Sequence, residues 1–449
     1  MRLKLLPLAL ALAVVALPSH GEDLMDAYRQ ARANDPTLAQ ADATRLATGE
    51  GVDQARALLL PQINGTYSLN QAHGGGSSEI EDPNNPTQFI SSSTFGHSRT
   101  RSLNLDLSQT VFDFAKYANL KAAHASANAQ DDTYEAALQD LYVRVATAYF
   151  TVLTDEDQLT YAKANEDAYR QQYDQAVARF HAGLSAITDE YQAKSYYEGA
   201  KATTIAAQNT LDNDREVLSQ ITGQPTGNLK KLRDDLPMNA PVPSNPDAWV
   251  KQALINNPSL LAQQQNVRAA NDNVTAARAG HLPTITASVS YGKSASWYED
   301  AAIHSNVPSQ TTIGLSLNVP IFSGGLTQSQ VRQSIYNRDA AQDSMEITRR
   351  QVKASTLNYY RSVLAGISQV QSGKAAVESA QEALKATRAG FNVGTQTMVN
   401  VLLAIQTLTQ AEGSYSQARH QLVLDRLLLR QSAGTASLDD LQNINALLQ

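Results

Sequence analysis

Asn34-Asp35-Pro36-Thr37-Leu38 recurs 222 residues later as Asn256-Asn257-Pro258-Ser259-Leu260. Matching stretches continue in the same order after both, and one connecting segment is 12 residues shorter in the second copy. Further matches pair Leu60-Pro61 with Leu282-Pro283, Val111-Phe112 with Ile321-Phe322, and Arg179-Phe180-His181-Ala182-Gly183 with Gly390-Phe391-Asn392-Val393-Gly394. A unit of about 210 residues has been duplicated, and neither copy is expected to bury its apolar faces alone.

Composition narrows the class of protein. The chain has no cysteine, which excludes disulfides and thiolate metal sites, and its net charge of −7 without a basic run argues against a nucleic-acid partner. Arg2 and Lys4 precede a short apolar stretch, so residues 1–21 are predicted to be a secretory signal peptide. No later run of 18 apolar residues is present, so membrane entry would have to use strands.

Each copy opens with a helix and continues with two strands. Asp35-Pro36 and Asn257-Pro258 place a capping side chain before proline, predicting helices over residues 36–60 and 258–282. Polar and apolar residues then alternate over 62–72, 101–112, 283–292 and 311–322, about the length that a tilted strand needs to cross hydrocarbon. A soluble β-sandwich edge shows the same alternation. Residues 73–100, with four glycines and two prolines, are predicted to be an external loop.

The pattern then changes to long helices. Residues 114–182 and 325–393 contain no proline, and a helix of that length extends about 104 Å. Each ends at a glycine and is followed by an arm, over 184–222 and 395–433, which predicts a helical hairpin. We therefore divide the chain into a signal peptide (1–21), a first repeat (22–223), a proline-rich equatorial linker (224–247), a second repeat (248–434) and an equatorial tail (435–449).

Four strands cannot close a barrel, and open strand edges cannot face lipid. Several protomers must therefore pool their strands if these enter a membrane. Eight strands leave an interior filled by side chains, whereas 12 or more can enclose a channel.

The quoted motifs resemble those of the TolC family of outer-membrane channels, and the resemblance covers essentially the whole mature chain. The strongest matches are Leu59-Leu60-Pro61-Gln62, Leu184 and Ala186-Ile187-Thr188-Asp189 after the first glycine turn, Val319-Pro320-Ile321-Phe322, and Phe391-Asn392-Val393-Gly394-Thr395. The resemblance implies an α+β membrane protein, a homotrimer whose 12-stranded β-barrel continues into a 12-helix α-barrel tunnel in the periplasm. It implies export of small molecules or proteins, with a periplasmic adaptor and an inner-membrane ABC, RND or MFS-type transporter as partners, and outer-membrane lipid around the barrel.

The resemblance also assigns roles at the hairpin ends. Gly183, Leu184, Gly394 and Thr395 correspond to turns that dock the adaptor. The positions that close the tunnel correspond to Thr188, Asp189, Phe391, Gln396, Asn400 and Leu403. Gln396 stands where the family has arginine, and Asn400 and Leu403 stand where it has aspartates. We hypothesise a gate held by amide hydrogen bonds and apolar packing, with Asp189 as its main charge. Alternatively, Asp189 is a solvated acid near a helix N-terminus.

Other classes are less well supported. No histidine pair has metal-ligand spacing, and the acidic runs, such as Asp155-Glu156-Asp157, are expected to lie on solvated helix faces, so no enzyme, cofactor or metal is predicted. The alternatives are a trimeric coiled-coil stalk or adhesin anchored by a pooled β-barrel, and a periplasmic adaptor. An adhesin would have its strands together at the C-terminus, and an adaptor would have one hairpin. The sequence does not indicate whether drugs or proteins are the cargo.

Overall fold

The computed structural model describes residues 22–82, 84–298, 305–306 and 309–449. The predicted signal peptide lies outside the described residues. The helices are α1 (Leu24–Asn34), α2 (Pro36–Ala57), α3 (Phe114–His181), α4 (Ile187–Thr222), α5 (Pro246–Asn256), α6 (Pro258–Ala279), α7 (Leu326–Asn392), α8 (Met398–Ser432) and α9 (Leu438–Asn445). The strands are β1 (Gln62–Asp82), β2 (Asn85–Phe112), β3 (Thr284–Tyr298), β4 (Ser305–Asn306) and β5 (Gln310–Asn318).

The chain forms two compact units. The sheet unit comprises the described part of residues 41–135 and 258–351, and the helical unit comprises residues 22–40, 136–257 and 352–449. Among the described helices, none is long and apolar enough to cross a membrane.

The sheet unit is built on an antiparallel sheet in which β1 pairs with β2, β2 with β3, and β3 with β5. The prediction of an external loop over residues 73–100 is wrong, because β1 continues to Asp82 and β2 starts at Asn85. An antiparallel ladder is made by backbone groups, which glycine and serine supply as well as apolar residues do. The shorter link, residues 293–309, likewise extends β3 to Tyr298, and its residues 299–304 and 307–308 lie outside the described part.

Several element ends also differ from prediction, and helix α6 ends at Ala279 rather than residue 282. The strand predicted to reach residue 322 ends at Asn318, because Pro320 has no N–H for a ladder and Ile321 is 94% exposed. Helix α2 ends at Ala57 rather than residue 60, and the Leu59 and Leu60 N–H groups donate to carbonyls three residues back in a tighter turn.

The helical unit contains three helices that were not predicted: α1, α5 and, in the predicted equatorial tail, α9. Helix α1 begins at a capping box in which Asp23 and Asp26 accept from each other's backbone N–H. Helix α5 begins at Asn245, whose side chain accepts from the Asp247 N–H. These 11-residue helices occupy matching positions in the two copies, directly before α2 and α6. The duplication therefore starts one helix earlier than the motif at Asn34.

The core of the helical unit includes one apolar face of α3. Leu141, Val145, Tyr149 and Val152 are fully buried, at the three- and four-residue spacing of one helix face. The Tyr149 hydroxyl donates to the Lys230 carbonyl at 2.9 Å, which ties α3 to the linker. The C-terminal tail also pairs with this linker, since the Lys231 N–H and Gln449 carbonyl are 3.1 Å apart.

Candidate functional site: the ends of the two helical hairpins

The two hairpins turn in the same way, at Gly183 and Gly394. Both glycines have a positive φ, 74° and 81°, which a residue with a Cβ adopts only at a cost. The Leu184 N–H donates to the Arg179 carbonyl at 2.9 Å, and the Thr395 N–H donates to the Gly390 carbonyl at 2.8 Å. Each long helix thus ends in a Schellman motif, and the chain is free to reverse. Leu184 is 72% exposed, so this turn presents an apolar side chain to its surroundings.

The helices that follow the turns begin differently. In the first copy Ala186 precedes α4 without a side-chain cap, and Asp189 and Glu190 place negative charge in the first turn. In the second copy Thr397 caps α8 by accepting from the Asn400 N–H, and the first turn has no acid. The Asn400 side-chain amide donates to Gln396 Oε1 at 2.7 Å. A charged helix start in one copy is therefore replaced by a neutral amide pair in the other.

The two hairpins pack on each other behind the turns. A buried cluster includes Ala176 from α3, Ala193 from α4, Leu384 from α7 and Val401 from α8. The Tyr169 hydroxyl of α3 donates to the Leu402 carbonyl of α8 at 3.2 Å. Directly behind the turns, the contact between the unlike hairpins is thus mainly apolar and includes the Tyr169 hydrogen bond.

Phe391 contacts Arg179 of the other hairpin, a residue for which the sequence predicted no role. The Arg179 guanidinium lies over the Phe391 ring, 4.6 Å from its centroid, a cation–π contact between the ends of α3 and α7. In the second copy Gly390 takes the place of Arg179, and a Cβ there would meet Gln396 Cγ at 2.7 Å. Arg179 belongs to the matched motif around Gly183 and Gly394, but nothing in that motif indicates that it contacts Phe391.

The remaining predicted gate residues do not meet within one chain. Thr188 is exposed and Asp189 is half-buried, and neither side chain forms a hydrogen bond or ion pair with the part of the chain that the structure describes. Leu403 is 46% exposed on α8. The structure therefore brings together Gln396 with Asn400, and Phe391 with Arg179, but it does not join the first hairpin's polar residues to the second hairpin.

The model of the outer membrane efflux protein family matches residues 27–224 and 249–435. The chain belongs to this family. Outer membrane protein TolC of Escherichia coli is 34% identical over 98% of this chain and 88% of its own length. Proteases secretion protein PrtF of Dickeya chrysanthemi is 26% identical over 100% of this chain and 96% of its length. The CmeC outer membrane channel of Campylobacter jejuni has the same fold, with a TM-score of 0.76 at 17% identity over 95% of this chain and 89% of that one.

Membership in the outer membrane efflux protein family places the protein in the outer membrane as an exit duct. The relatives are channel proteins rather than enzymes, and the family is neither the adhesin nor the adaptor considered from the sequence. Among the described residues, no cluster of three or more histidine or acidic side chains could hold a metal ion.

Within this efflux protein, the acidic run on α3 is not the solvated face that the sequence suggested. Asp157 accepts a 2.6 Å hydrogen bond from Ser416 of α8, and Glu156 pairs with Arg215 of α4 at 2.8 Å. Burial and the neighbouring carboxyl group of Asp214 raise the pKa of Asp155 to about 7. Polar groups thus fix α3 against α4 and α8 within the helical unit.

Proposed function

We propose that three copies of this chain pool their sheets into a 12-stranded β-barrel, which continues as a 12-helix tunnel. One observation carries the proposal: the sheet exposes an apolar face. Ile63, Ile313 and Leu315 are 72%, 78% and 72% exposed, and the register places Ile63, Leu107, Val289 and Ile313 in one row across all four strands. Exposing such an apolar surface to water is unfavourable, whereas placing it against lipid is favourable.

The opposite face and the two outer strands support the same proposal. The opposite face carries small polar side chains, including Ser68 and Ser102, whose hydroxyl oxygens are 2.7 Å apart. Strands β1 and β5 each have one partner-free edge within the described sheet, and lipid cannot satisfy such an edge. Joining β5 of one protomer to β1 of the next removes every edge, and three copies give the smallest barrel that can hold water.

A pair of charge substitutions tests the assignment of the faces. Leu315→Lys places a charge on the proposed lipid face, at a cost of about 2–4 kcal/mol near the bilayer centre. Ser316→Lys places the same charge on the proposed lumen face. We expect Leu315→Lys to lower the yield of folded trimer, measured by light scattering in detergent, and Ser316→Lys to leave it unchanged. A native particle of one or two copies, or equal loss in both variants, would contradict the proposal.

We also propose that the hairpin ends close the tunnel and dock a periplasmic adaptor with its ABC, RND or MFS-type transporter. Thr188 and Asp189 have no polar partner within the described chain, which leaves them available to a neighbouring protomer. In this gate Gln396, Asn400 and Leu403 supply amide and apolar contacts, and Asp189 supplies the main charge. Because the cargo passes through a duct shared by different transporters, small molecules and proteins are both accommodated. Similarity to PrtF, named for protease secretion, supports the protein route.

Because the chain lacks cysteine, single cysteines can map the adaptor contact. Leu184→Cys and Thr395→Cys avoid the strained glycines and lie at the two turns, whereas Thr203→Cys is an exposed position farther along α4. We expect crosslinks to a periplasmic adaptor from the two turn variants and none from Thr203→Cys. Equal capture at all three positions would show that the turns are not the docking site.

A further inference from the structure

The sheet register gathers three cations that are scattered in the sequence. Leu103 lies opposite Lys293, Arg101 opposite Ala295, and Arg99 opposite Trp297, so all of these side chains share one face. This is the apolar face, because Leu103 also lies opposite Tyr67 on β1. Arg99, Arg101 and Lys293, named here the cationic trio, therefore stand at the end of the apolar rows on the same surface.

The cationic trio is compact, and its side chains have no acidic partner among the described residues. Arg99 and Arg101 are two residues apart on one strand, about 7 Å, and Lys293 is a diagonal neighbour of Arg101 at about 7–8 Å. None of the three forms an ion pair with the described residues. The acid Asp106 lies in register with Asn64 and Ser290 on the opposite face, and Glu79 is eight residues beyond the Gln71 row, about 27 Å away. Glu299 and Asp300, which follow Tyr298 in the sequence, lie outside the described residues. Within the described part, the charge of the trio is left for a ligand to balance.

Aromatic side chains mark the same level of the sheet. The Arg101 guanidinium lies over the Trp297 ring at 5.4 Å, and Tyr67 and Tyr291 are within two rows. Tryptophan and tyrosine favour the boundary between hydrocarbon and headgroups. Along β3, the rows from Ile285 to Lys293 span eight residues, about 27 Å, close to the height of the apolar band of such barrels after tilt.

The trio lies at the end of this band away from the helices. Strand β1 follows α2 by a short turn, and β2 ends one residue before α3. Gln109 Nε2 donates to the Leu59 carbonyl at 2.7 Å, which fastens that lower end of the sheet to the end of α2. If the helices extend into the periplasm, the trio is at the outer surface of the membrane.

We propose that the cationic trio binds the phosphate groups of a phosphorylated lipid in the outer leaflet. This inference rests on the proposed membrane placement of the strands. Arginine binds phosphate through two parallel N–H donors, and lysine adds a point charge. The lipid's acyl chains would lie along the apolar rows below, beside Leu103 and Leu105, while the phosphate offsets the mutual repulsion of the three cations. An anion free in solution would gain the charge contacts but not this apolar contact.

Lipid retention by the purified trimer tests the proposal. Native mass spectrometry would count bound diphosphoryl lipid A, with phosphatidylcholine, whose phosphate is neutralised by its own choline cation, as the comparison. We expect Arg99→Gln/Arg101→Gln/Lys293→Gln to weaken lipid A binding by at least about tenfold and to leave phosphatidylcholine binding unchanged. The control, Lys121→Gln/Arg278→Gln/Arg332→Gln, removes three exposed helix charges from the same unit and should retain wild-type binding.

Three results would overturn the proposal: undiminished lipid A binding by the trio variant, equal loss in the control, or full competition by equimolar inorganic phosphate. Single-channel conductance of the same samples distinguishes a failure of the lipid site from a failure of the proposed channel function. A trio variant that conducts normally but loses lipid A supports the lipid site. A wild-type protein that neither inserts nor conducts refutes the membrane placement, and the lipid site with it.

Discussion

The two copies of the duplicated unit share a backbone but not their charges. Both use a positive-φ glycine at the hairpin turn, and both end their second arm at another, Gly223 and Gly434, each with φ of 71°. The offset of 211 between Gly183 and Gly394 places Ser355 opposite Arg144 and Gly366 opposite Asp155. The glycines that reverse the chain are thus common to both copies, while the charged residues at these first-copy positions are not repeated in the second.

Three sites show this divergence, at the base, the middle and the end of the hairpin. At the base, Asp35 pairs with Arg144, whereas the second copy has Asn257 and Ser355. In the middle, Asp155 adjoins Asp214, whereas the matching positions of the second copy are Gly366 and Asp425. At the end, Asp189 is matched by Asn400. In the proposed trimer, unlike charges on the two hairpins would favour contact between unlike hairpins, which specific assembly requires.

The largest expected effect is at the base of the first copy. Arg144 donates to both carboxyl oxygens of Asp35, at 2.7 and 3.2 Å, and Asp35 is only 4% exposed. Asp35→Asn leaves the cap on α2 but removes the buried carboxylate from Arg144, which keeps only its exposed contact with Asp140. We therefore expect the free energy of unfolding to fall by about 3 kcal/mol. Denaturant unfolding in detergent measures it. Asp140→Asn, which breaks the exposed pair with the same arginine, should cost at most about 0.5 kcal/mol. Equal losses of stability in Asp35→Asn and Asp140→Asn would contradict the claim that the buried pair contributes more than the exposed one.

The pH dependence of this pair has a definite sign. Burial opposes the charge on Asp35, but the hydrogen bonds from Arg144 and the Leu38 N–H outweigh it, and the pKa of Asp35 is lowered. The stabilisation is therefore present above the ordinary carboxyl pKa and is lost as pH falls through the lowered value.

The middle of the first hairpin should respond to pH in the opposite direction. Because the folded-state pKa of Asp155 is about 7 against an ordinary 3.8, the folded protein binds an extra proton between these values and loses stability as pH rises through that window. Asp155→Asn should raise the midpoint of thermal unfolding at pH 8 and change it little near pH 4. Asp167→Asn, an exposed acid on the same helix, should change neither. If Asp155→Asn left the midpoint of thermal unfolding at pH 8 unchanged, the claim that charged Asp155 beside Asp214 destabilises the fold would be wrong.

The smallest effect is expected at the contact between the turns. Arg179→Met should remove the cation–π contact with Phe391, worth about 0.5–1 kcal/mol at an exposed site. A double-mutant cycle with Phe391→Leu isolates the pair from its surroundings. A coupling free energy indistinguishable from zero would show that the two side chains are merely neighbours.

Much of this fold could be predicted because its signals are local. The glycine turns, the capped helix at Pro36 and the strand alternation each occupy a few consecutive residues. Helix α1 was missed although its capping box was present in Asp23 and Asp26. The continuation of β1 and β2 beyond residue 72 could not be inferred, because pairing by backbone groups leaves little mark on glycine- and serine-rich sequence.

The candidate sites depended more on tertiary contacts. The motif pointed to Gly183 and Gly394 correctly as turns, with the φ that such turns need. No local pattern shows that Arg179 lies over Phe391, more than 200 positions away, or that strand register brings Lys293 beside Arg101. These contacts are set by how elements pair, which a single sequence does not specify.

Single-channel conductance of four proteins tests the unlike hairpin ends most directly: wild type, Asp189→Asn, Gln396→Arg and the double variant. A hydrogen bond to a charged group contributes about 1.5–3 kcal/mol, against about 0.5–1.5 kcal/mol for a neutral one. We predict that Gln396→Arg lowers conductance by strengthening the closed state, and that it does so only while Asp189 is present. An unchanged conductance, or an equal fall in the Asp189→Asn background, would contradict a gate formed between the charged hairpin and the neutral one.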